Sequence, residues 1–386
     1  MYCVRKVVDD LYWVGGNDHR LALFENIHPI PNGVSYNSYL LLDKKTVLFD
    51  TVDWDACRQF LENVEHVLNG RDLDYLVINH MEPDHGASIE EILLRYPKVK
   101  IISTEKSFLL MHQFGFNVDG RTEEVKEGDT RCFGKHTITF VEAPMVHWPE
   151  VMVTYEQSEK ILFSADGFGK FGALDVEESW ACEARRYYFN IVGKYGAQVQ
   201  ALLKKAATLD IKMICPLHGP ILKENLAFYI DKYNTWSSYE PEDEGVFVAY
   251  ASIHGNTAEA AKEFVEMLRK NGAEKVVIAD LSREDMAEAV EDAFRYSKLV
   301  VAAASYDAGV FPCMEDFLHH LKAKNYQKRT VGIIENGSWA PSAAKQMKAI
   351  LEGMKNITIC EPVVTIKSTL NETSRKAMEE LAKELA

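Results

Sequence analysis

Short apolar runs separated by polar turns fill the first part of the chain, and longer, more regular blocks follow. Strand-like runs at 36–42 and 46–50 flank Asp43-Lys44-Lys45, which signals a hairpin. The 3.6-residue spacing of apolar positions over 56–67 predicts a helix, and 74–79 reads as a buried strand running straight into a polar loop. Residues 88–96 read as a helix, 99–103 as extended and 137–142 as a strand. Residues 151–155 and 160–164 form a second hairpin pattern. After a long helical stretch, 211–215 is a short apolar strand. Strands and helices interleave, so the class is α/β or α+β.

The sharpest break is 237–244, Ser-Ser-Tyr-Glu-Pro-Glu-Asp-Glu, polar and acidic with Pro241, which reads as a linker. It separates an expected first domain, 1–243, from a second, 244–386. In the second, strands are predicted at 246–250, 275–280, 298–303 and 330–334, with an extended run at 357–365. Helices are predicted at 257–271, 286–294, 314–322, 342–355 and 372–385. Five strands alternating with five helices imply a doubly wound parallel sheet.

Composition narrows the function. The 386 residues, 47% apolar and 26% charged, are those of an ordinary globular protein of two or three domains. The net charge is -15, and from Glu244 onward 21 acids meet 18 bases, so most of the acidic excess lies in the first domain. Such a chain has no electrostatic reason to bind nucleic acid or an anionic membrane. No apolar run approaches the ~18 residues of a membrane span, and the N-terminus has no signal-peptide core. A cytoplasmic protein is expected. The 7 cysteines are scattered without a CxxC pair, which excludes a zinc ribbon or rubredoxin-like module and argues against a disulfide scaffold.

The loop after the 74–79 strand reads His80-Met81-Glu82-Pro83-Asp84-His85-Gly86. Four metal-competent side chains share one turn bounded by Pro83 and Gly86. His147 follows the strand at 137–142, Asp166 the strand at 160–164, and His218 the strand at 211–215. Each sits where a strand gives way to a loop, the usual place for function on such a scaffold. Four imidazoles and three carboxylates are too many for one tetrahedral zinc. They suit two metals sharing a bridging carboxylate, and without thiolates they favour iron or manganese. His66, His112, His136, His319 and His320 read as surface or satisfied core residues.

His-x-Glu-x-Asp-His, a distant His, then Asp, then His218-Gly219-Pro220, resembles the metallo-β-lactamase-like domain of flavodiiron proteins. Tyr36-Asn37-Ser38-Tyr39, Leu48-Phe49-Asp50-Thr51 and His147-Trp148-Pro149-Glu150 fit the same family. Related hydrolases carry a second His where this chain has Glu82. The resemblance implies an αββα sandwich in which one iron takes His80, Glu82 and His147. The other takes Asp84, His85 and His218, with Asp166 between them.

A second constellation, Ser252-Ile253-His254-Gly255-Asn256-Thr257, lies between the first strand and first helix of the second domain. Small and hydroxyl residues there make a phosphate cradle at a helix N-terminus. It is neither a P-loop nor GxGxxG. Ser305-Tyr306-Asp307-Ala308-Gly309 and Asn336-Gly337-Ser338-Trp339 follow the third and fourth strands and would open at the same edge, offering polar backbone and aromatic faces to a flat heterocycle. All three loops resemble the FMN-contacting loops of the flavodoxin-like part of flavodiiron proteins.

The resemblance spans the whole chain and has the minimal two-domain form, without a rubredoxin or flavin-reductase extension. It implies an oxidoreductase with FMN and two non-haem irons. Electrons would come from an external carrier (rubredoxin, coenzyme F420 or a similar reduced carrier). Oxygen would be reduced to water, or nitric oxide to nitrous oxide, in a head-to-tail homodimer or dimer of dimers. The alternatives are a dinuclear zinc hydrolase of the lactamase or glyoxalase II kind with an accessory domain, and a flavin electron carrier with a vestigial metal site. Glu82 and the flavin-type loops count against the first, and the complete ligand set against the second.

Overall fold

The computed structural model describes residues 2–386. The chain divides into two compact units: residues through Tyr187 with Ala197–Tyr233, and Tyr188–Gly196 with Asn234–Ala386.

The first unit holds two sheets. One runs in the order Arg5–Val8, Leu11–Trp13, Tyr39–Leu42, Thr46–Phe49, Tyr75–Val77, Lys100–Ser103, Thr122–Glu124. The other runs Thr130–Cys132, Thr137–Glu142, Met152–Glu156, Ile161–Phe163, Met213–Cys215. Alternate side chains from both sheets meet in one apolar core, where Phe49 stacks on Phe163 at 4.1 Å between ring centres. Helices such as Cys57–Leu68 bury one face; Phe60, Leu61, Val64 and Leu68 turn inward.

Strand directions decide where the loops emerge. In the second sheet, Thr137–Glu142 and Ile161–Phe163 are both antiparallel to Met152–Glu156, and Met213–Cys215 is parallel to Ile161–Phe163. Three strands therefore end at one edge, ahead of His147, Asp166 and His218. Thr46–Phe49 and Tyr75–Val77 are likewise parallel, so Asp50 and His80 leave the first sheet together.

Three local readings differ. The run at 36–42 is two strands, Val34–Tyr36 and Tyr39–Leu42. Asn37 breaks it by turning its N–H to the Leu217 carbonyl, 2.8 Å away. Glu105–Gln113 is a helix that the apolar pattern does not signal, because only Ser107 and Met111 are buried; Thr104 caps it through Ser107 N–H. The linker is shorter than its composition suggests, since one helix runs to Ser237 and the next strand starts at Asp243.

The second unit is the doubly wound sheet that the alternation predicts. Its order is Val276–Asp280, Asp243–Ala251, Tyr296–Tyr306, Gln327–Asn336, Lys355–Ile359, all parallel. The extended run at 357–365 is divided between Lys355–Ile359 and Val364–Ile366. The first strand lies between the second and third, so the sequence order reverses there and leaves a crevice at the carboxyl ends. Among the described residues no helix is long and apolar enough to cross a membrane.

Candidate metal centre and cofactor cavity

The seven sequence-predicted side chains come together in the first unit as two groups: His80, Glu82, His147 and Asp166, and Asp84, His85 and His218. In the first, His147 Nε2 lies 2.9 Å from Glu82 Oε2 and 3.2 Å from Asp166 Oδ2, and His80 Nε2 lies 3.2 Å from Glu82 Oε2. In the second, Asp84 Oδ2 is 3.1 Å from His218 Nε2 and 3.2 Å from His85 Nε2. Asp166 Oδ1 faces this group, 3.2 Å from His85 Nε2. One carboxylate thus presents one oxygen to each group.

These spacings fit bound cations. Two ligand atoms about 2.1 Å from one ion lie about 3 Å apart when they meet at right angles. His85 Nε2 and His218 Nε2 face each other at 3.1 Å. The other nitrogen of His218, Nδ1, donates to the Ser35 carbonyl at 2.8 Å, so its Nε2 presents a lone pair. Asp84 Oδ1 and Asp166 Oδ1 are buried without a hydrogen-bond partner among the described residues. An ion supplies what both pairs of atoms lack.

The electrostatics agree. Burial opposes a charged His85, yet Asp84 and Asp166 outweigh it and push the imidazole up to about 10. His147 is pushed up to about 9 against its burial, by Asp166 and Glu82. Asp166 is held well below the usual carboxylate range, because His80 and His85 outweigh its desolvation. The carboxylates draw positive charge inward, and metal ions are the other way to provide it.

Backbone and second-layer groups fix this geometry. Glu150 Oε1 accepts from His80 Nδ1 at 2.8 Å and from Met81 N–H, which orients the ring with Nε2 toward the site. Asp50 accepts from Asn79 N–H, Asn79 Nδ2 and His80 N–H, pinning the start of the ligand turn; its burial nonetheless pushes it up to about 6. Asn37 Nδ2 donates to the Pro216 and Gly219 carbonyls, each at 2.8 Å, on both sides of His218. The sequence motifs contain Asn37, Asp50 and Glu150, but nothing in the sequence gives them these tasks. Three more groups are not legible there at all. Ser35 supports His218 through its carbonyl and holds Gly219 N–H through Oγ. The Tyr187 hydroxyl is buried without a partner among the described residues, its ring 5.5 Å from that of His218. Glu25, in the turn between Leu23–Phe24 and His28–Pro29, is pushed up to about 7 by desolvation and by Glu82.

The second unit carries a cavity of about 690 Å³ at the crevice of its sheet, within the range for cofactor sites. Its wall takes in 252–254, 256–257, 304–308, 336–342 and Ser368. The three predicted loops converge there. Gly255 and Gly309 belong to them but do not line the cavity. Gly255 starts the helix Asn256–Lys270 at φ +96°, a conformation that suits glycine, and among the described residues no side chain caps the helix. Gly337 cannot be larger, since a Cβ would come within 2.7 Å of Pro341. The segment around Ser368 is unannounced in the sequence; its carbonyl accepts from Asn336 Nδ2 at 3.0 Å. Trp339 is 92% exposed beside the cavity, with Tyr306 and Ile253 also exposed. Hydroxyls, helix N–H groups and one broad aromatic face fit a phosphorylated flat heterocycle such as FMN.

The family model for ODP family beta lactamase matches residues 34–219. An uncharacterized protein of Methanocaldococcus jannaschii is 28% identical over 99% of this chain and 98% of its own. The anaerobic nitric oxide reductase flavorubredoxin of Vibrio vulnificus is 28% identical over 89% of this chain and 72% of its own. The solved rubredoxin oxygen:oxidoreductase of Desulfovibrio gigas is 26% identical, with a TM-score of 0.91 over 99% of this chain and 97% of that one. The chain resembles flavodiiron proteins from end to end. This likeness covers both units, so the αββα sandwich and the flavodoxin-like sheet occur in the arrangement along the chain that flavodiiron proteins have.

Proposed function

We propose that the chain is a flavodiiron oxidoreductase that reduces oxygen to water, nitric oxide to nitrous oxide, or both, with electrons from an external carrier. The observation that carries this reading is Asp166, whose two carboxylate oxygens face two separate ligand groups. His80, Glu82 and His147 would hold one iron and Asp84, His85 and His218 the other, with Asp166 between them. When bound, FMN and the iron pair supply electron storage and redox-active positions for a diatomic oxidant. The protein's own part is to orient the imidazoles through Glu150 and Ser35 and to offer a buried donor at the Tyr187 hydroxyl. Glu82 in the place of a second histidine, together with the cavity of the second unit, argues against a zinc hydrolase. Metal analysis, identification of released flavin and anaerobic rates with each gas test the reading. Two zincs with full hydrolytic activity and no flavin would refute it.

We infer a cytoplasmic homodimer, or a dimer of dimers, in which one chain's flavin serves its partner's irons. The exposed Trp339, Tyr306 and Ile253 around the cavity support a covering surface. A variant without iron ligands mixed with one without flavin should regain activity in proven heterodimers. No recovery would refute transfer between chains.

A further inference from the structure

The seven ligand side chains of the metal centre are not equally covered. Those of His80, His85, Asp166 and His218 are at most 1% exposed, whereas Glu82, Asp84 and His147 keep 15%, 11% and 8%. The centre is therefore open on the side of these three. The short hairpin of Leu23–Phe24 and His28–Pro29 stands at that side. Burial first, and then Glu82, push Glu25 at its turn up to about 7, and His147 and Asp84 also act on it, which sets its carboxyl beside the three partly open ligands. Phe24, one residue earlier, is buried, while Leu23 and Ile27 of the same hairpin are exposed. Its ring meets the His218 imidazole edge-on, 5.4 Å between centres, and packs against Phe171 at 5.4 Å and Tyr187 at 6.3 Å. Tyr36 at 5.8 Å and Tyr187 at 5.5 Å complete an aromatic wall round that imidazole. His218 Nε2 lies 3.1 Å from Asp84 Oδ2, so the wall borders the open side. Arg186 secures the hairpin, donating from Nη1 to the Pro29 carbonyl at 2.9 Å while its guanidinium lies 4.6 Å over the Phe171 ring.

We propose that this hairpin is a size filter over the metal centre, with Phe24 as the residue that admits diatomic molecules and excludes longer ones. The inference rests on the diiron reading above and deepens it by naming what limits the ligand. A ring wedged among other rings and held by an anchored hairpin yields little, because close-packed groups move only together. An apolar wall of this kind discriminates by volume and not by charge. Glu25 brings a carboxyl to the same mouth, so charge and size must be separated. Two ligands of equal charge and different length do this, since Glu25 acts on both alike and cancels from the ratio of their affinities.

The test uses the full chain, iron-loaded and oxidised, titrated with fluoride and with thiocyanate and followed by the absorption of the iron. The unaltered chain should bind thiocyanate much more weakly than fluoride. In Phe24→Ala the ratio of thiocyanate to fluoride affinity should rise about 10-fold. Phe24→Leu should raise it less, in the same direction, and Ile27→Ser, on the solvent side of the hairpin, should leave it unchanged. Circular dichroism and iron content identify the folded, loaded variants, and Phe24→Leu decides if Phe24→Ala is not among them. A ratio that stays constant in the Phe24 variants, or rises as much in Ile27→Ser, overturns the filter and leaves the diiron reading standing. So does thiocyanate binding to the unaltered chain as tightly as fluoride. An unaltered chain that takes up no iron overturns the diiron reading and this inference with it.

Discussion

Asn37 offers a direct test of how the fold positions the metal centre. It is fully buried, with both side-chain polar atoms and its backbone N–H hydrogen-bonded. Nδ2 donates to the Pro216 and Gly219 carbonyls, Oδ1 accepts from Trp13 Nε1 at 2.8 Å, and N–H donates to the Leu217 carbonyl. In Asn37→Ala the backbone bond survives. The Pro216 carbonyl keeps the Tyr39 hydroxyl, also at 2.8 Å. The Gly219 carbonyl and the Trp13 indole N–H lose their side-chain partner. At about 1–3 kcal/mol for each buried group left unpaired, the loss is about 2–6 kcal/mol. Asn37→Asp separates this from a cavity effect, because it conserves volume and keeps the acceptor for Trp13. It turns a carboxylate oxygen toward two carbonyls, so its cost should also reach about 3 kcal/mol at neutral pH. Burial and those carbonyls raise the folded pKa of the new acid above its unfolded value. Stability relative to the unaltered chain is then greatest at low pH and falls as pH rises through the folded pKa. Urea unfolding at pH 5 and 8, with metal content measured alongside, reads both effects. An Asn37→Asp chain within 1 kcal/mol of the original at pH 8, with full metal, would refute the reasoning.

Three further outcomes are expected. Asp166→Ala should abolish both metals, because each of its oxygens faces one group; elemental analysis showing loss of only one removes it from the bridging position. Trp339→Ala should weaken FMN binding by about 1 kcal/mol through lost stacking, and unchanged affinity in a flavin titration would place the ring outside the flavin's contacts. His136 is clamped between Glu156 at 2.9 Å and Asp10 at 3.0 Å; hydrogen bonding to Glu156, against burial, pushes it up to about 9, while burial of Glu156 is outweighed by hydrogen bonds from His136, Ser158 and the backbone N–H groups of Ser158 and Glu159 together, which hold it at about 2. Their stabilisation is full from about pH 4.5 to 6.5, is lost as pH rises through about 9, and falls again as pH drops through about 2. The thermal-melting deficit of His136→Gln should therefore shrink between pH 6 and 10, and a constant deficit would contradict the assignment.

The second unit is more legible in sequence than the first. Its three central strands are largely buried on both faces and its helices carry one apolar stripe, so period and burial point the same way there. The helix Met286–Arg295 is an example, with Ala287, Val290, Ala293 and Phe294 all inward. In the first unit many strands are three or four residues long, too short to show a period. Leu11–Trp13 and Tyr75–Val77 are held by neighbours far along the chain, and local pattern does not report such pairing. The break at Asn37 has the same cause, since its partners lie about 180 residues away.

The site divides along the same line. Side chains whose chemistry is rare outside a metal centre stand out in sequence: a turn with two imidazoles and two carboxylates within six residues has few other uses. Residues that only aim those ligands are ordinary asparagines, serines and aspartates until their partners are known. Ser35 supports His218 through its backbone carbonyl, a contact that side-chain identity does not specify. Tyr187 belongs to a helix where an aromatic residue is common, and only the fold shows its ring beside that of His218 and its hydroxyl buried without a partner among the described residues. Ligands are fixed by what a metal accepts, whereas their supports are fixed by where the strands end. The supports are therefore where the structure adds most to the chemistry, and where substitutions such as Asn37→Asp distinguish positioning from ligation.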